Sequence, residues 1–103
     1  MMTKDETRDA IKDAYLQKME AQFEEWDADV RKLKAKAHKA QAGAKIDYYR
    51  QMEALDARLE ATRRRLQDLR GGSGEAWADL KAGLKRAVDE LGRSLHRAFS
   101  RLG

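Results

Sequence analysis

A stripe position returns every third or fourth residue from Tyr15 to Leu69, through Met19, Gln22, Trp26, Val30, Leu33, Ala37, Ala40, Ala44, Tyr48, Gln51, Leu55, Leu59, Thr62 and Leu66. These sixteen positions cover 54 residues in fifteen steps, a mean step of 3.6. A mostly apolar period of 3.6 held for so long reads as an α-helix and not as a strand. A strict heptad would average 3.5 and supercoil to the left, so this stripe predicts a straighter or weakly coiled helix. The chain has no proline. Gly43 is the sole candidate breaker inside the stripe, among Ala40, Ala42 and Ala44, and an internal glycine costs only ~1 kcal/mol relative to alanine. The pattern therefore predicts one continuous helix over about residues 5–70, roughly 100 Å long. The rival reading is a helical hairpin broken near Gly43, which would make a compact three-helix bundle.

Gly71-Gly72-Ser73-Gly74 is an unambiguous break. It follows a basic last turn, and Ser73 or Gly74 can open a further helix with Glu75 in its first turn. That helix is expected over about 75–101. Its stripe is Trp77, Leu80, Leu84, Val88, Leu91, Leu95, Phe99 and Leu102, flanked by Ala87 and Ala98, on an arc of roughly 120°. The loop is short, so the helix must return antiparallel along the preceding one. The fold class expected is all-α, with coiled-coil or three-helix-bundle packing in a single domain.

In the continuous-helix reading the stripe from Tyr15 to Ala40 has no partner within the chain. An unpaired apolar stripe containing a tryptophan predicts self-association, as an antiparallel homodimer. The expected contact residues are Trp26, Leu33, Ala37, Ala40, Trp77, Leu84, Leu91 and Phe99. Charge segregation agrees. Residues 1–29 carry nine acids and four bases, and residues 30–46 carry six bases and no acid. Asp5, Glu6, Asp9 and Asp13 would then lie near a partner's Arg58, Arg63, Arg64 and Arg65. A hairpin would instead bring Lys36 and Lys39 beside Lys45 and Arg50, like against like.

Chemistry finds little foothold. There is no cysteine, hence no disulfide, thiolate ligand or thiol nucleophile. His38 and His96 are the only histidines; neither has a second ligand at metal-binding spacing, so no metal or cofactor is expected. Asp9/Asp13 and Glu20/Glu24 are i,i+4 carboxylates, which on a helix form a solvated face. The glycine run has neither a trailing lysine nor a preceding strand, so it is a linker and not a phosphate loop. Trp26 and Trp77 read as core residues. No apolar run reaches the ~18–20 residues that cross a bilayer, and the first six residues contain no apolar h-region, so a cytoplasmic, non-enzymatic protein is expected.

Two segments, Glu25-Trp26-Asp27-Ala28-Asp29-Val30-Arg31-Lys32-Leu33-Lys34-Ala35-Lys36-Ala37 and Gly74-Glu75-Ala76-Trp77-Ala78-Asp79-Leu80-Lys81-Ala82-Gly83, resemble a family of small bacterial coiled-coil proteins. That family is loosely apolipoprotein-like and sometimes linked to stress responses. The resemblance implies a helical hairpin with a long first arm and carries over no functional residue. Three functions remain in view. The first is a self-associating scaffold or protein-interaction module. The second is reversible binding to anionic lipid through the C-terminal helix, whose apolar arc is ringed by Lys81, Lys85, Arg86, Arg93, Arg97 and Arg101. The third is nucleic-acid association through the basic segment 31–45.

Overall fold

The computed structural model describes residues 3–102, with Leu102 described in its backbone alone; its side chain, the last of the C-terminal stripe, lies outside the described residues. Three helices are formed, α1 (Lys4–His38), α2 (Ala42–Gly71) and α3 (Gly74–Leu102), and the described residues contain no strand. The chain is an all-α three-helix bundle, a rod of 60 × 23 × 18 Å. Helices α1 and α3 each run antiparallel to α2.

The start of α1 is written in the sequence as Thr3-x-x-Glu6. The Thr3 hydroxyl accepts from the Glu6 N–H (3.2 Å), and the Glu6 carboxylate accepts from the Thr3 N–H (3.3 Å). This reciprocal arrangement satisfies two of the amides that a helix start leaves unpaired. Between α2 and α3, Gly74 holds φ +60°, a backbone region where a Cβ is disfavoured. A side chain at Gly72 would meet Leu80 Cδ1 at 2.9 Å, so a larger residue there would require the Leu80 side chain to shift.

The continuous helix over 5–70 is not formed; the chain takes the hairpin alternative. The turn falls at Lys39-Ala40-Gln41, just before Gly43, which sits in the first turn of α2 with an ordinary φ. No residue in the turn is a helix breaker. The amides of Lys39 and Ala40 bond to the carbonyls of Lys36 and Ala37, and those of Ala44 and Lys45 bond to Gln41. The interruption thus forfeits only a few helical hydrogen bonds, each worth ~1 kcal/mol net. In exchange Met19, Phe23, Val30 and Leu33 are buried, at roughly 2 kcal/mol each. The stripe that lacked a partner in the long-helix reading is covered by α2 and α3 of its own chain.

The core joins that stripe to Met52, Leu55, Leu59, Leu66 and Leu69 of α2 and Leu84, Leu91, Leu95 and Ala98 of α3. Ion pairs mark the register of α1 on α2: Glu20 with Arg70, Asp27 with Arg63, and Lys34 with Asp56. Each step is seven residues up α1 and seven down α2. Exposed pairs of this kind contribute at most ~1 kcal/mol each, so they mark the register more than they enforce it.

Gly43 supplies a direct check of the turn. A Cβ there meets nothing within 4 Å. Replacing Gly43 with Ala should therefore raise stability by up to ~1 kcal/mol and the melting temperature by a few degrees. A thermal melt that falls would show Gly43 in the turn.

Candidate interaction surfaces

The residues expected to meet a partner lie mostly inside the bundle. Leu33, Ala37 and Leu84 have no exposed surface and Leu91 has 1 %. Ala40 is half-buried in the α1–α2 turn. Trp26, Trp77 and Phe99 are half-buried along the seam between α1 and α3, the narrowest of the three helix contacts. Trp26 lies against Gly92 and packs tilted against Phe23 with centroids 6.1 Å apart. Trp77 meets Tyr15 edge to face at 6.1 Å. Lys12 and Lys81 stand over the Trp77 ring at 5.3 and 5.2 Å, and Lys81 also caps Tyr15 at 4.6 Å. Burial, with a smaller contribution from Asp89, pushes the Tyr15 phenol above its ordinary pKa.

This arrangement bears on the alternatives. The apolar arc of α3 faces the core, so lipid contact through it would require the bundle to open. In segment 31–45, Arg31 pairs with Asp27 and Lys34 with Asp56, so part of that basic charge is already neutralised. His96 is exposed, and exposed His38 shares a 3.0 Å hydrogen bond with the Tyr49 hydroxyl. Among the described residues no cluster of His, Cys, Asp and Glu could hold a metal ion, and no helix is long and apolar enough to cross a membrane.

The most organised feature of the surface is a groove between α2 and α3. It consists of two hollows, of about 510 and 320 Å³, which share Arg58, Ser94 and Arg97. Small side chains form its floor, among them Ala54, Ala61, Ala87 and Ala98. Its walls are Arg58 and Arg65 from α2 and Arg93, Arg97 and Arg101 from α3. The buried Ser94 hydroxyl accepts from both Arg58 and Arg97, the latter at 3.3 Å. None of the five arginines pairs with a carboxylate among the described residues, and Glu90 is the only acid in the lining. Arginine offers a planar fork of donors suited to carboxylate or phosphate, so the groove can receive anionic groups.

Sequence reasoning set Arg93, Arg97 and Arg101 around the apolar arc of the C-terminal helix and Arg58 and Arg65 opposite a partner's acidic block, without seeing that the two sets converge. The available signal was Arg93-x-x-x-Arg97-x-x-x-Arg101 on one helix with Arg58 and Arg65 on another. At 1.5 Å rise per residue, i,i+4 spacing makes a ladder with rungs ~6 Å apart. Comparison with protein-family models, with curated proteins and with solved structures gives no match for this chain.

Proposed function

We propose that this chain is a non-enzymatic, cytoplasmic helical interaction module that self-associates, the arginine groove of one copy receiving the acidic start of α1 from another. The observation that carries the reading is a charge complementarity that no ion pair among the described residues uses. Asp5, Asp9 and Asp13 are exposed and have no basic partner among the described residues. The first two turns of α1, residues 4–11, are exposed on every side. They begin at the α3 N-terminal end of the rod, near Trp77, whereas Arg97 lies twenty residues further along α3, about 30 Å away. Two rods set antiparallel bring each acidic end to the other's groove, a closed two-fold arrangement. Of the four arginines first expected to meet the acidic block, Arg63 and Arg64 are engaged with Asp27 and Glu60 of their own chain. Arg58 and Arg65 are left for a second copy. A stress-associated role within a bacterial coiled-coil family rests on the two tryptophan segments and is part of the same proposal.

Sedimentation velocity tests it. At micromolar concentration and low salt the chain should sediment as a dimer. Dissociation should follow as the Debye length falls from ~30 Å at 0.01 M salt to ~8 Å at 0.15 M. The pair Arg58→Glu/Arg97→Glu should be monomeric, and so should Asp9→Lys/Asp13→Lys. A mixture of the two variants should dimerise again. A wild-type chain that is monomeric at every salt concentration, or variants that dimerise as the wild type does, would overturn the proposal.

A further inference from the structure

The hairpin that corrects the long helix also gathers like charges. The last turn of α1 and the first turns of α2 carry Lys36, Lys39, Lys45 and Arg50, with Asp47 as the one acid between positions 30 and 52. None of the four bases is paired with a carboxylate among the described residues. The same pole holds two of the three large apolar side chains that are exposed among the described residues, Ile46 at 61 % and Tyr49 at 39 %, with Tyr48 half-buried beside Lys36 and Lys39 in a shallow hollow. The Tyr49 hydroxyl is tied to His38 across the turn, which links the two helices of the tip. An isolated exposed isoleucine needs no explanation. Exposed apolar and aromatic residues within a ring of unpaired cations are a different matter, because the cations repel one another wherever no anion is supplied.

We infer that the α1–α2 tip is a docking point for an anionic lipid surface, with Ile46 and Tyr49 entering the headgroup region and Lys36, Lys39, Lys45 and Arg50 facing acidic lipid. Three features favour lipid over nucleic acid. The tip is the end of a rod and touches a plane without steric conflict. An exposed isoleucine gains from the acyl boundary and gains nothing from a phosphate backbone. Tyrosine is an amphipathic ring suited to the membrane interface, and lysine heads reach headgroups while their stems remain over apolar surface. The bundle stays closed throughout, so the apolar arc of α3 takes no part. Contact of this kind is reversible, since each basic residue near an anionic leaflet changes partitioning only about fivefold.

The inference is independent of the groove and is tested with the full chain on vesicles of phosphatidylcholine, with and without about one-third phosphatidylserine. Co-sedimentation should occur on the phosphatidylserine vesicles and be lost as salt rises. Lys39→Glu/Lys45→Glu should reduce partitioning by well over tenfold, and Ile46→Asp should also reduce it, both with an unchanged thermal melt because these side chains pack against little. Lys85→Glu on α3 and Arg58→Glu/Arg97→Glu in the groove should leave vesicle binding intact. Loss of the groove variants' self-association with retained vesicle binding separates the two proposals. The inference is overturned by equal binding to neutral vesicles, by no binding to either, or by binding that Lys85→Glu abolishes and the tip variants spare. It is equally overturned if duplex DNA is bound more tightly than the vesicles and Ile46→Asp leaves that binding untouched.

Discussion

Replacing Leu33 with Ala should lower stability by ~3–4 kcal/mol, enough to move most of a marginal domain toward the unfolded state. Leu33 has no exposed surface and lies in the stretch of α1 whose ion pairs with α2 run from Asp27 to Lys34. Its removal deletes transfer free energy and leaves a cavity between helices whose backbones are held on both sides. A bundle of three helices has little freedom to collapse around such a gap. The variant also tests the architecture. At a salt concentration that dissociates the groove-mediated dimer, a bundle closed within one chain shows the same loss at every protein concentration. In a long-helix dimer, Leu33 would face a second molecule across an apolar seam that salt does not weaken, and the melting temperature of both wild type and variant would rise with concentration. Equilibrium denaturation at that salt over a hundredfold concentration range distinguishes the two, and a concentration-dependent melt there would return the chain to the continuous helix.

Trp77→Ala should cost less, about 2–3 kcal/mol, although tryptophan is the largest side chain in the protein. A fully buried aromatic would cost ~3–5 kcal/mol. Trp77 is half-buried, so less than its full area is withdrawn from water. What it does make is specific: the edge-to-face contact with Tyr15 and the two lysine ammoniums over its ring. An aromatic pair contributes ~0.5–1.5 kcal/mol beyond area and an exposed cation–π contact ~0.5–1 kcal/mol. The sequence read Trp77 as a core residue of the C-terminal stripe. The structure turns the ring toward α1 at the outer seam, where Lys12 and Lys81 can reach it. Chemical denaturation of the variant checks the magnitude. A loss as large as that of Leu33→Ala would mean that the ring is fully buried, and no loss would mean that it is a free surface residue.

The reach of the sequence is visible position by position. Leu55, Leu59, Thr62, Leu66 and Leu69 were each assigned to the core of α2 by period alone, and each is buried. Leu84, Leu91 and Leu95 of α3 were found in the same way. Phe23 and Met52 were missed, although both are buried, because a stripe one residue wide omits positions that face a second neighbour. A helix packed against two others buries a broader arc than one packed against a single partner. Of the candidate sites, the basic character of segment 31–45 was legible. The groove was not, because its arginines come from two helices and converge only when α3 is set against α2. The concentration of like charge at the hairpin was foreseen as an objection to that hairpin; it is present, and it marks the tip.

The sequence by itself determined that this chain is helical, where its glycine-rich loop lies and most of the residues that line the inner face, because period, propensity and breakers act locally. It could not decide whether residues 39–41 continue a helix. Lys39, Ala40 and Gln41 are good helix formers, and locally nothing opposes continuation. That question was settled by the tertiary structure alone. A few backbone hydrogen bonds at the turn are outweighed by the apolar surface of α1 that folding back covers, and that comparison involves residues as far apart as Trp26 and Gly92, which no local window contains.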